Sequence, residues 1–158
     1  MFKTTNETDK FRYDDCVIKK MIIDEVGISL SVDALIVKAD NSQNSNYTES
    51  YADTAEVEIK AGKIVNIIRD GYKVFDANDV LLREVPDEEV DINSKKWNVL
   101  FEGQYLVGIN RTDEKKIVII VELMDEESMG VSDSYSVSIE CESVDIKWER
   151  YLNRVSAY

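Results

Sequence analysis

The chain contains no histidine, and this absence narrows its chemistry more than any motif it carries. Without imidazole, neither Ser-His-Asp nor Cys-His activation of a nucleophile is available. The two cysteines, Cys16 and Cys141, are too few for an all-cysteine zinc site. What remains is acid–base work by carboxylates, Tyr or Lys, or a Ca²⁺ or Mg²⁺ site built from oxygens. Carboxylates gather in three places: Asp14-Asp15, Asp87-Glu88-Glu89 with Asp91, and Asp125-Glu126-Glu127. None of these follows the EF-hand loop pattern. A pair of carboxylates could hydrolyse a glycoside, but that depends on a separation in space which sequence spacing does not fix. Solvated loop charge is the plainer interpretation. Phosphate-loop, dinucleotide-binding and nucleophile-elbow glycine patterns are all missing. No catalytic residue, cofactor or metal ligand is therefore assigned.

Charge points to a partner more than to a reaction. Acids outnumber bases 32 to 19, a formal net charge of −13. Such a field repels nucleic acid and anionic membrane surfaces, which bind by having their phosphates neutralised, and it favours encounter with a basic protein. The acidic clusters suit that role better than they suit catalysis. No run approaches the ~20 apolar residues that cross a bilayer. The N-terminus lacks the apolar stretch of a signal peptide, so a cytoplasmic location is expected. Both cysteines fall in expected strands and read as buried small hydrophobes; a disulfide between them would require those strands to be neighbours.

A second candidate site is the polar stretch over residues 40–53, DNSQNSNYTESYAD, which breaks all periodicity. Asn44 and Asn46 offer adaptable hydrogen bonds, and Tyr47 and Tyr51 offer rigid amphipathic contact area, the mixture that binding loops use. A plain connector with two incidental tyrosines fits the same residues. A third candidate is the aromatic set Trp97, Phe101, Tyr105, Tyr135 and Trp148, which could line a ligand cavity or simply fill a core.

These residues must be positioned by β-structure. The organising stretch is residues 16–39, read as a hairpin around Glu25-Val26-Gly27. In its second strand Ile28, Leu30, Val32, Ala34 and Ile36 alternate with polar residues, which places them on one buried face. Residues 54–60 and 64–69 read as further strands. Asp70-Gly71 reads as a hairpin turn with residues 72–75 pairing back. Residues 94–103 read as a short helix capped by Ser94 and ended by Gly103, with a strand through Trp97, Val99 and Phe101 as the alternative. The near-continuous apolar run over residues 117–123 suggests a central strand covered on both faces. Alternation from Ser134 to Glu142 reverses parity at Glu142-Ser143, which requires a bulge or bend. Residues 1–10 and 149–158 read as tails, the first of them flexible. The expected fold is a single all-β domain of 158 residues: an antiparallel sandwich or open barrel of roughly eight to ten strands, with at most one or two short helices.

The run Phe11-Arg12-Tyr13-Asp14-Asp15-Cys16-Val17-Ile18, with the hairpin, the Asn-rich stretch and residues 54–59 after it, resembles the N-terminal third of a group of small acidic β-rich bacterial proteins of unknown function, chiefly Gram-positive. The second acid departs from their aromatic–x–(His or Tyr)–Asp–(Cys or Ser)–x–Ile spacing. The resemblance spans residues 11–70 and implies no activity; immunity-type inhibitors are an analogy of class. Two functions from different classes follow. One is a non-enzymatic protein whose acidic surface and 40–53 loop engage a basic protein such as a toxin domain. The other is a sandwich or barrel that binds a small ligand or glycan, or hydrolyses one with its carboxylates. Oligomeric state is left open.

Overall fold

The computed structural model describes residues 1–124 and 133–155. Its strands are β1 (Phe2–Thr5), β2 (Phe11–Arg12), β3 (Val17–Ile23), β4 (Gly27–Asp33), β5 (Ile36–Val37), β6 (Ser50–Ala52), β7 (Ala55–Lys60) and β8 (Lys63–Arg69). They continue with β9 (Tyr72–Phe75), β10 (Leu81–Val85), β11 (Glu88–Val90), β12 (Tyr105–Asp113), β13 (Lys116–Glu122), β14 (Ser134–Glu140), β15 (Ser143–Trp148) and β16 (Tyr151–Arg154). One α-helix, α1 (Trp97–Phe101), and a 3₁₀ turn over Thr8–Lys10 complete the described elements. The protein is all-β and antiparallel, as its alternation implies.

Ten strands form one sheet in the order β1-β15-β7-β4-β3-β12-β13-β14-β8-β11. It consists of two five-stranded halves, because β3 and β12 are bridged only at Tyr105 and Val17. The edges β1 and β11 do not pair with each other, so the sheet does not close into a barrel. Period-two alternation gives each half one apolar face. Ile28, Leu30, Val32, Val57 and Ile59 come from the first half, and Leu106, Ile117, Ile119, Val121, Val137 and Ile139 from the second; all lie in one buried cluster. A four-stranded sheet, β16-β6-β5-β2, lies beside the main one, and β9 pairs with β10 apart from both.

The parity reversal after β14 has a topological cause. Cys141 N–H donates to Lys115 C=O in the second half, while the next residue, Glu142, donates to Lys60 C=O in the first. The chain changes half-sheet between these two residues, so its inward face changes with it.

Several expectations are corrected. Residues 1–10 are not a flexible tail, since β1 pairs with β15 from Phe2↔Trp148 to Thr5↔Asp145. The hairpin strand β4 stops at Asp33, and Ala34 (φ 62°) turns the chain into β5 of the smaller sheet. Asp70-Gly71 is not a hairpin turn, because β9 pairs with β10 rather than with β8. Helix α1 is confirmed with Trp97 and Phe101 buried and Gly103 left-handed after it (φ 83°). Ser94 does not cap it; its hydroxyl donates to Asp91 C=O at 2.7 Å. Strand β13 is central but not covered on both faces: Ile117, Ile119 and Val121 are buried, whereas Val118 and Ile120 are only half-buried. Residues 151–154 are not a tail, since they form β16 and pair with β6.

Candidate functional site

The half-open face of β13 belongs to a wider surface. Cross-strand register aligns Gly108, Ile120, Ser136, Ile68 and Glu89 in one row across β12, β13, β14, β8 and β11. A second row runs Asn110, Val118, Ser138 and Asn66. Serine hydroxyls and aliphatic side chains alternate here with little charge. At the β12 edge the 3₁₀ turn and Phe11 approach the face, leaving a cleft of about 680 Å³ lined by Thr8, Tyr13, Lys38, Gly108 and Arg111 among others. Neither Lys38 nor Arg111 forms an ion pair among the described residues; Arg111 donates to Asn6 Oδ1 at 2.8 Å.

One end of this half-sheet is acidic. Asp14, Asp15 and Glu122 line a second cleft with Tyr13 and Tyr105. Glu122 lies opposite Ser134, whose hydroxyl donates to Asp70 at 3.1 Å. Asp70 also accepts from Ser136 at 2.9 Å. Next to Asp70, the Gly71 N–H donates to the Asp87 carboxylate at 2.6 Å. Glu88 pairs with Arg69, and Glu89 lies opposite Ile68. Acids from segments more than a hundred residues apart thus form one rim. The cluster Asp125-Glu126-Glu127 lies outside the described residues, three residues after Glu122.

From the same end projects an arm made of β9 and β10. It turns through Asp76, whose carboxylate accepts from the N–H groups of Asn78 (2.8 Å) and Val80 (3.0 Å). Phe75, Val80, Leu81 and Leu82 are exposed along it, Leu82 to 64%. Sequence reading missed this arm. From sequence, residues 72–75 read as a strand pairing back on residues 64–69, and residues 80–82 show no period because Val80, Leu81 and Leu82 are all exposed.

The 40–53 loop is built differently from a free binding loop. Asn44 Nδ2 donates to the carbonyls of Val37, Lys38 and Thr48, and its Oδ1 accepts from Asn46 N–H at 2.8 Å. Asn46 Nδ2 reaches Ser50 Oγ at 3.5 Å, and Tyr51 lies half-buried in β6. These amides hold the turn, leaving Tyr47, 93% exposed at left-handed φ, as the projecting group. Arg12 joins loop to rim: it donates to both Glu49 oxygens at 2.9 and 2.8 Å and also pairs with Asp14.

The aromatic set does not line one cavity. Trp97, Phe101 and Tyr135 pack on each other with ring centroids 5.6–5.8 Å apart. Trp148 packs instead with Phe2, Phe11 and Tyr151, and Tyr105 faces the acidic cleft. Cys16 and Cys141 are free and buried; burial pushes the Cys16 thiol up to about 12, out of the range of a nucleophilic thiolate. No group of three or more His, Cys, Asp or Glu suited to a metal ion occurs among the described residues. No described helix is long and apolar enough to cross a membrane. No protein-family model, characterised protein or solved structure matches the chain.

Proposed function

We propose that this chain is a non-enzymatic binding protein that engages a basic protein through the acidic end of its second half-sheet. The observation that carries this reading is the convergence of Asp14, Asp15, Asp70, Asp87, Glu89 and Glu122 on one rim in a chain of net charge −13. Scattered surface acids merely solvate, but acids arrayed along one end of a sheet sum to a negative field, which salt screens over about one Debye length, ~8 Å at physiological salt. Their field speeds encounter and rejects acidic competitors. An immunity-type inhibitor that masks a basic toxin in the cytoplasm is the specific form of this reading.

Tagged protein in cells that make it natively tests the proposal. Capture should recover a basic protein whose retention falls steeply as salt rises. Asp14→Asn with Asp15→Asn, or Asp87→Asn with Glu89→Gln, should each weaken capture by roughly tenfold. Salt-insensitive capture, or none, would refute it. A second reading, a small-ligand or glycan site, is favoured by the ~680 Å³ cleft beside Lys38 and Arg111. Titration of the protein with a panel of small anions and oligosaccharides, followed at Gly108 and Asn110 amide resonances, distinguishes it.

A further inference from the structure

We propose that the β9–β10 arm is the anchor of this interaction, inserting Leu81 and Leu82 into an apolar recess of the basic partner while the acidic rim closes around its base. The inference rests on the reading above for the partner's charge and adds the element that holds the complex together.

The arm is fixed in shape without a core of its own. A two-stranded hairpin is at best marginal in water unless something restrains it. Here Lys73 pairs with Glu84 across the strands at 3.8 Å, and Arg83 lies 5.7 Å over the Tyr72 ring. At the base, a Cβ on Gly71 would stand 2.1 Å from Val85 C=O, so only glycine permits the two strands to approach this closely. The Asp87 carboxylate then holds the Gly71 N–H. These restraints are polar or steric, and none uses Phe75, Val80, Leu81 or Leu82.

Register gives the second observation. Leu81 lies opposite Phe75 and Arg83 opposite Val74, so Leu82 is an extra residue in a bulge. A bulge re-aims side chains. Leu82 occupies the bulge and Leu81 borders it, and with no core behind either face both are exposed, Leu81 to 46% and Leu82 to 64%. Adjacent exposed leucines on a pinned projection are the arrangement of a binding anchor, ringed by groups that exclude water.

Charge selects the occupant. Residues 70–89 carry seven acids and two bases. Both bases are engaged within the arm, Lys73 by Glu84 and Arg83 by Tyr72. A second copy would bring the same excess of acid against itself, which like-charge repulsion opposes, whereas a basic partner neutralises it.

A photo-crosslinking apolar residue placed singly at Leu82, Asp15 and Val26, in cells that make the protein natively, tests the inference. Val26, on the exposed β3–β4 turn, is the control. Leu82 and Asp15 should yield the same adduct with a basic polypeptide, and Val26 none. Phe75→Ser with Leu81→Ser should lower the Asp15 adduct at least tenfold without moving the thermal midpoint. An Asp15 adduct that persists in this variant, with none at Leu82, would overturn the arm and leave the acidic reading standing. No adduct at either position would overturn both. A self-adduct at Leu82 would make a second copy the occupant and overturn the inference.

Discussion

The two halves of the main sheet share one buried face and differ on the other. In the first half the outer face is a ladder of charges that satisfy each other. Lys147 pairs with Glu58 at 2.8 Å, Ser31 donates to Glu56 at 2.7 Å, and Asp145 accepts from Thr5 at 2.8 Å between Lys60 (2.9 Å) and Lys3 (3.4 Å). In the second half, Val118, Ile120 and Ile68 lie half-buried among serines, an acidic rim bounds one end, and the arm leaves from there. One face has its polar groups matched within the fold. The other keeps half-buried apolar area beside an acidic rim whose Asp70, Asp87 and Glu88 are tied to neighbouring strands, and the proposed binding role rests on that pairing of apolar area with negative charge.

The sharpest way to test this contrast is on neighbouring residues of β13. Ile119→Ala, on the inner face, should cost about 3 kcal/mol because it opens a cavity in a packed core. Ile120→Ser, one residue on, should cost about 1 kcal/mol or less, since its side chain meets water. Chemical denaturation of the two variants measures both; equal losses would mean that the outer face is as packed as the inner.

Asp145 is the corresponding position on the finished face. Burial alone would raise its carboxyl, but hydrogen bonds from Lys60, Thr5 and Lys3 outweigh burial and hold it below its ordinary value of 3.8. Asp145→Ala should lose about 1–2 kcal/mol at neutral pH by removing the Thr5 hydrogen bond and both lysine pairs, whose donors return to water. Because the folded-state value is the depressed one, this stabilisation is present above about pH 4 and fades as pH falls through the folded-state value. The gap between wild type and Asp145→Asn should therefore shrink on acidification below 3.8. A gap that stays constant would remove the linkage.

Gly71→Ala drives a Cβ into the Val85 carbonyl at the arm base and should cost about 1–2 kcal/mol. The loss should appear as faster amide exchange in β9 and β10 with β13 unchanged. Smallest of all, Leu82→Ser should change stability by less than about 0.5 kcal/mol, while abolishing most of any binding. A large stability loss would show that Leu82 serves the fold.

Legibility in the sequence followed burial. Strands with one face in the core, such as Ile28-Leu30-Val32 and Tyr135-Val137-Ile139, announced themselves because water and core impose opposite preferences on alternate residues. The reversal at Glu142-Ser143 was also visible, although only the structure shows that the chain changes half-sheet there. The arm left no such signature: Phe75, Val80, Leu81 and Leu82 are apolar without being buried, and the Leu82 bulge breaks the period. Asp70-Gly71 misled for a related reason, since the glycine serves close approach to Val85 rather than a two-residue turn. The acidic clusters were plain as composition. Their convergence on one rim was not, because register across β12, β13, β14 and β8 brings them together.

Hydrogen exchange on the isolated complex, compared with the free protein, tests the central claim most directly. Protection is expected over residues 71–90, at 13–15 and at 104–106, with no change over residues 28–32, 55–60 and 143–148. Protection confined to the charge ladder of the first half, or spread equally over both faces, would contradict it.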